Sequence, residues 1–225
     1  MSKMLTFGFD DCEIYDRQLA ILFRKYKMKA TFFLISDQLG FKCDFHRYGE
    51  DTVVERVSDD EIKKTYKDME VASHTSNHKL PLDNLEDAVV RSVDLLSKLC
   101  GYKVKGLAYP GGNYTPEHIK RLKELGIEYA RTTDCTHTFE IPKDFLIWNP
   151  TCKYDDPDIL KLADDFINLK TDGIFYIYGH SYELTQRETH KSFSDFEEVL
   201  KKLAFREDIL YLTNIKTVEN MRSFK

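Results

Sequence analysis

Strand-like runs alternate with helix-like segments along the whole chain, and that alternation restricts the fold more than any other feature. Apolar, β-prone runs occur at residues 4–9, 30–35, 69–73, 106–109, 128–132, 145–149, 174–179 and 209–213. Between them apolar residues recur every three or four positions, as on a helix with one buried face. Leu19, Leu22, Phe23 and Tyr26 form one such stripe, and Leu85, Val89, Val93, Leu96 and Cys100 form another. Ile119, Leu122 and Leu125 make a third, followed by Ile159, Ala163, Phe166 and Ile167, then by Phe196, Val199, Leu200 and Leu203. Helix ends are marked as well. Ser58 with Glu61 and Ser194 with Glu197 have capping-box spacing, Thr115-Pro116 and Asp156-Pro157 set proline in a first turn, and Gly126 closes a helix.

Strands separated by helices pair in parallel through right-handed crossovers. The expected class is therefore α/β: a deformed (β/α) barrel of seven to eight parallel strands, closed or incomplete, because 225 residues is short for eight full units. No Pro/Gly/Ser-rich linker interrupts the pattern, so one domain over residues 1–225 is expected. In such folds functional groups gather at the C-terminal ends of the strands.

Four strand ends carry chemistry. The run "LTFGFDD" ends in Asp10-Asp11, "VASHTSNH" ends in His74 and His78, "LAYPGG" ends in a glycine-rich turn, and "IFYIYGH" ends in His180. An Asp-Asp pair suits a solvated turn, two histidines four apart suit a surface, and a lone histidine suits a structural role. Four apart, however, His74 and His78 also share one face of a helical turn, close enough to hold one metal ion. Taken together, one carboxylate and two imidazoles form a three-ligand set that leaves positions open for water. The remaining carboxylate and histidine are then free to act as base and acid, the make-up of a metal-assisted hydrolase.

Charge and cysteine usage narrow the setting. A net charge of -5 with no basic, aromatic-interleaved run argues against a nucleic-acid partner. No apolar stretch reaches the roughly 18 residues of a membrane span, and the N-terminus has no signal-like core. Cys12, Cys43, Cys100, Cys135 and Cys152 are odd in number and widely spaced, as reduced thiols of a cytoplasmic protein would be. A cytoplasmic monomer is the expectation.

The motifs resemble those of the NodB-homology polysaccharide deacetylases, carbohydrate esterase family 4. "FGFDD" at 7–11, "HTSNH" at 74–78, "AYPGG" at 108–112, "DFLIWNP" around Trp148 and "IYGH" ending at His180 follow that family's order. The resemblance implies hydrolysis of acetyl groups on N-acetylated sugars, either small molecules or glycans. It implies one divalent ion, zinc first, with nickel, cobalt or iron as alternatives. By position, Asp11, His74 and His78 would hold that ion, Asp10 would be the general base and His180 the general acid. The Tyr109 amide would help hold the oxyanion, and Trp148 and Tyr182 would offer aromatic faces to a sugar ring.

Two departures stand out. Ala108 occupies the place of the family's arginine, and Arg131, in "EYARTTD", is expected to supply the missing charge. Cys12 replaces the glycine that commonly follows the aspartates, and reads as a buried structural thiol. The insertion at 40–57 is expected to be a long loop near the site, with His46, Arg47 and Tyr48 as possible sugar contacts. Two other readings remain open at this level: hydrolysis of a non-sugar amide such as a ureide or imide, and a catalytically inactive glycan-binding domain.

Overall fold

An eight-residue strand that is buried throughout, Lys3–Asp10, runs through the middle of the sheet. The computed structural model describes residues 2–47, 50–185 and 191–223. In chain order the strands are β1 (Lys3–Asp10), β2 (Thr31–Leu34), β3 (Lys42–Arg47), β4 (Glu50–Glu55), β5 (Glu70–Ser73), β6 (Gly106–Ala108), β7 (Tyr129–Arg131), β8 (Cys152–Lys153), β9 (Gly173–His180) and β10 (Ile209–Tyr211). The helices are α1 (Asp16–Lys25), α2 (Ile62–Thr65), α3 (Leu85–Cys100), α4 (Pro116–Glu124), α5 (Ile159–Ile167), α6 (Phe193–Leu203) and α7 (Asn214–Ser223). Strands β7, β6, β5, β2, β1, β9 and β8 lie side by side in that order, all parallel. They form a half-barrel of 7 strands curled through 234°. β10 pairs with the first residues of β1, on the edge whose later residues pair with β2.

Alternation along each strand divides the interior into two layers. Leu5, Phe7 and Phe9 of β1 meet Phe23 of α1 and Phe196 of α6 in the layer between sheet and helices. Met4 joins Phe33, Tyr129, Trp148 and Tyr176 inside the curl. Large aromatics fit there because glycines face them. A β-carbon on Gly106 would lie 2.0 Å from Tyr129 Cζ, and one on Gly8 would lie 2.7 Å from the Tyr176 hydroxyl.

The expected helices are present, with shifted ends. α6 starts at Phe193, capped by Ser192 and Asp195 rather than by Ser194 and Glu197, because Ser192 accepts the Asp195 amide and Asp195 returns the bond. Ser58 makes no capping bond to the backbone; its hydroxyl donates to Asp60 and Glu61. Thr115 and His118 form a true capping box on α4, and Gly126 beyond it has φ +81°. Residues 145–149 are not a strand. Phe145–Ile147 is a 3₁₀ turn, and Trp148 alone bridges Arg131 in parallel, so this segment spans the gap between the edge strands. The insertion at 40–57 is an antiparallel hairpin of β3 and β4, not a loop. Tyr48 and the side chains of His46 and Arg47 lie outside the described residues. Helix α7 follows β10 and was not marked by a clear apolar stripe. Among the described residues no helix is long and apolar enough to cross a membrane.

Gly106→Ala should destabilise the fold by about 3 kcal/mol through overpacking against Tyr129. Gly126→Ala, where the added methyl meets nothing within 4 Å and only the left-handed φ of +81° opposes it, should cost less, about 1–2 kcal/mol. Urea titration of both variants checks the order.

Candidate active site

The inward positions at the C-terminal ends of the strands form one layer. Asp10 ends β1 directly across from His180, the last residue of β9, and Ala108 of β6 is paired with Arg131 of β7. His74 follows β5 by one residue and stays in register through its amide bond to the Leu34 carbonyl, 2.9 Å. Period two thus lines up Asp10, His74, Ala108, Arg131 and His180 from five separate strands.

The two aspartates point to different neighbours because the chain turns between them. Asp11 has φ +80° and Cys12 φ +52°, left-handed conformations that cost non-glycine residues about 1–3 kcal/mol each. The turn is held by the Asp11 amide on Phe33 O, by the Val57 amide on Cys12 O, and by the Arg56 guanidinium on the Asp11 carbonyl. A similar constraint shapes the second motif. His74–His78 is not the helical turn its spacing suggests: Thr75 and His78 have φ +65° and +62°. The tight turn still brings the two imidazole centroids to 4.7 Å.

Asp11, His74 and His78 offer one ligand atom each, all within 4.8 Å of one another. His74 is buried and its Nδ1 is fixed on the Ala108 carbonyl at 2.9 Å, which leaves Nε2 facing Asp11 Oδ1 at 3.8 Å. Asp11 Oδ1 is buried with no hydrogen-bond partner. Burial pushes the Asp11 carboxyl up, but the charges of His180, His74, Arg56 and His78 outweigh it and hold it below its ordinary value. Burial pulls His74 the other way, toward the neutral form that ligates metals. An orphaned buried carboxylate oxygen facing two imidazoles, one still solvent-exposed, fits a divalent ion with open positions.

Asp10 Oδ2 lies 3.9 Å from the same His74 Nε2, but it is already engaged by a partner of its own. Arg131, fully buried, donates Nη2 to Asp10 Oδ2, and its guanidinium lies 4.8 Å from the Tyr178 ring and 5.5 Å from that of Phe33. Arg131 is paired with Ala108, one strand over at the same register. His180 Nε2 faces Asp10 Oδ2 at 3.9 Å. Burial pushes His180 down, but Glu183, Asp10 and Asp11 outweigh it and raise its pKa.

Two of the expected site residues are engaged elsewhere. The Tyr109 amide donates to Arg131 O at 3.0 Å, a ladder bond that leaves nothing for an oxyanion. Trp148 is 2% exposed and packed against Phe145, Tyr129 and Tyr176, so it presents no face to a sugar. Both residues belong to the apolar interior that the curl closes. Tyr182 does reach the site, its ring 5.2 Å from that of His180. Sequence reading missed Arg56, Glu183 and Lys153; only the spacing of Glu183, three residues past His180, gave a usable signal.

Behind the site Asp16 is wholly buried and accepts the Tyr66 hydroxyl at 2.7 Å. Burial pushes its carboxyl up to about 8, against the hydrogen bond from Tyr66. Cys12 is equally buried, its thiol pushed up to about 12, and behaves as a packed structural group. The folded chain keeps the Asp16 proton to about pH 8, whereas an unfolded chain releases it near 3.8. Over that window the unfolded state binds fewer protons, so this group makes stability fall as pH rises. The stability of Asp16→Asn relative to wild type should therefore improve steadily as pH rises through that window, as read by melting temperature.

The chain belongs to the polysaccharide deacetylase family, whose model matches residues 1–130. Similar solved structures include the Streptococcus pyogenes deacetylase PplD in complex with acetate, 21% identical over 63% of this chain at a TM-score of 0.53; the match spans 61% of that relative's length. A Mycobacterium smegmatis protein assigned to the polysaccharide deacetylases aligns with 99% of this chain and 91% of its own, at TM-score 0.67 and 13% identity. A family 4 acetyl xylan esterase from Clostridium thermocellum, solved with a cobalt ion, aligns over 98% and 92% at TM-score 0.58 and 13% identity. At these identities the likeness is one of fold. No curated protein matched.

Proposed function

We propose that the chain is a metal-dependent hydrolase that removes acetyl groups from N-acetylated sugars or glycans. The observation that carries this reading is the separation of two carboxylates at one strand end. Asp11 Oδ1 faces His74 Nε2 without a hydrogen bond, whereas Asp10 Oδ2, 3.9 Å from both His74 Nε2 and His180 Nε2, is held by Arg131. The family and the fold of its members support the same reaction class.

Asp11, His74 and His78 are the ligands in this reading, and zinc, cobalt, nickel and iron all suit the donor set. A divalent ion held there would polarise the acetyl carbonyl and lower the pKa of the attacking water. Asp10 accepts the water's proton on Oδ1, the oxygen that has no partner, because Oδ2 is committed to Arg131. Arg131 keeps Asp10 aimed. Water adds to the carbonyl carbon, the C–N bond breaks, and acetate leaves on one side. The amine leaving on the other takes a proton from His180 Nε2.

Four outcomes are expected. Purified protein should bind about one divalent ion per chain by elemental analysis, and His78→Ala should lose it. Acetate release from N-acetylglucosamine oligomers should stop on chelation and return with zinc. Asp10→Asn should lower turnover by about 10²–10⁴-fold while the ion stays bound. Activity that survives Asp10→Asn would overturn the assignment of the base. Turnover of ureides or imides without any acetate release would move the substrate to a non-sugar amide. Arg131→Met should lose turnover and about 3–5 kcal/mol of stability, because it leaves Asp10 buried and unpaired.

A further inference from the structure

His180 sits between two carboxylates, one at each ring nitrogen. On the Nε2 side Asp10 Oδ2 lies at 3.9 Å; on the Nδ1 side Glu183 Oε2 lies at 3.3 Å. Glu183 is there because the chain leaves β9 at His180 into a 3₁₀ turn, Ser181–Thr185, which brings the third residue back beneath the imidazole. It is 3% exposed, and a carboxylate so buried must be paired. Its second oxygen accepts from Lys153 Nζ at 3.0 Å. Lys153 is the last residue of β8, and its ammonium also lies 3.4 Å from Asp155 Oδ2. Lys153 and His180 together hold the Glu183 carboxyl down to about 2, so it stays charged.

We propose that Glu183, held in place by Lys153, is a positioning residue that keeps the proton of His180 on Nδ1 and presents Nε2 to the leaving amine. The inference rests on the reading of His180 as the acid. Without a partner at Nδ1 the ring can turn, or carry its proton on the wrong nitrogen when neutral. His180 Nδ1 has no other partner among the described residues. At 3.3 Å the contact is an ion pair whose two atoms do not meet hydrogen-bond geometry, and a small turn of either side chain would align it when the imidazole is charged. Lys153 sits on an edge strand of the half-barrel, so the acid's orientation is tied to that edge.

The leaving group provides the test. An alkylamine must be protonated to depart; the nitrophenolate of 4-nitrophenyl acetate departs without help. Glu183→Gln keeps the shape and removes the charge. With N-acetylglucosamine oligomers its kcat should fall about 100-fold, the low end of what a positioned acid supplies, with KM little changed. With 4-nitrophenyl acetate the loss should stay within about twofold. Lys153→Met, which leaves Glu183 in place, should show a smaller loss with the same substrate dependence, and it serves if Glu183→Gln folds poorly. Equal losses on both substrates, or none on either, would overturn the proposal. Nitrogen-15 histidine spectra provide a readout that needs no turnover: wild-type His180 should be protonated at Nδ1, and Glu183→Gln should be a mixture of tautomers. If wild type deacetylates nothing yet shows this shift, the hydrolase reading fails and the contact stands. Unchanged spectra would sink the contact whatever the activity.

Discussion

Asp10 and Arg131 are buried together at the top of the half-barrel, 3% and 0% exposed, and the rest of the site is arranged around that pair. Neither charge has access to bulk water, so each depends on the other. Removing one member of such a pair costs about 3–5 kcal/mol, mostly through the charge left behind. The pair also divides the labour of neighbouring carboxylates. Both carboxylates lie near His74, Asp10 Oδ2 at 3.9 Å and Asp11 Oδ1 at 3.8 Å, but Oδ2 of Asp10 is taken by Arg131 while Asp11 Oδ1, beyond a left-handed step, has no hydrogen bond. Stored backbone strain at Asp11, Cys12, Thr75 and His78 is concentrated in the two loops that shape the candidate ion site.

The layer below explains why Arg131 can be there at all. The interior of the curl is filled by Tyr129, Tyr176, Phe33 and Trp148, and it accepts them because Gly8 and Gly106 present no side chain. Ala108 continues that logic upward, leaving space beside which the guanidinium lies over two rings. Half a barrel leaves an opening between β7 and β8. The segment through Trp148 covers it, bonding to Ala130 and Thr132 on one side while Thr151 bonds to Tyr176 on the other. An aromatic that looked available for a sugar is used instead to close the wall.

Much of this was legible. Apolar, β-prone runs marked seven of the eight expected strands, and the residues at their ends, Asp10, Asp11, His74, His78 and His180, do converge. Local chemistry suffices for that, since alternation alone decides which side chains face the curl. Arg131 was inferred from a gap at Ala108 and lies against Asp10. The failures share a cause. Trp148 and Tyr109 carry the residue types of a binding surface, but how far the sheet curls determines whether such groups face solvent or the interior. The hairpin of β3 and β4 went unread because a short two-stranded ribbon has little burial to impose a pattern.

The sequence by itself determined the parallel α/β order and which side chains end each strand, because helical and strand periods are local properties of the chain. It also determined that two carboxylates and three histidines would share one rim. Only the tertiary structure decided that Asp10 Oδ2 is taken by a wholly buried Arg131 while Asp11 Oδ1 is left without a hydrogen bond. It alone placed Glu183 and Lys153 behind His180 and sent Trp148 inward. Those outcomes depend on distances between strands far apart in the chain, set by the curl of the sheet and by the space that Gly8, Gly106 and Ala108 leave open.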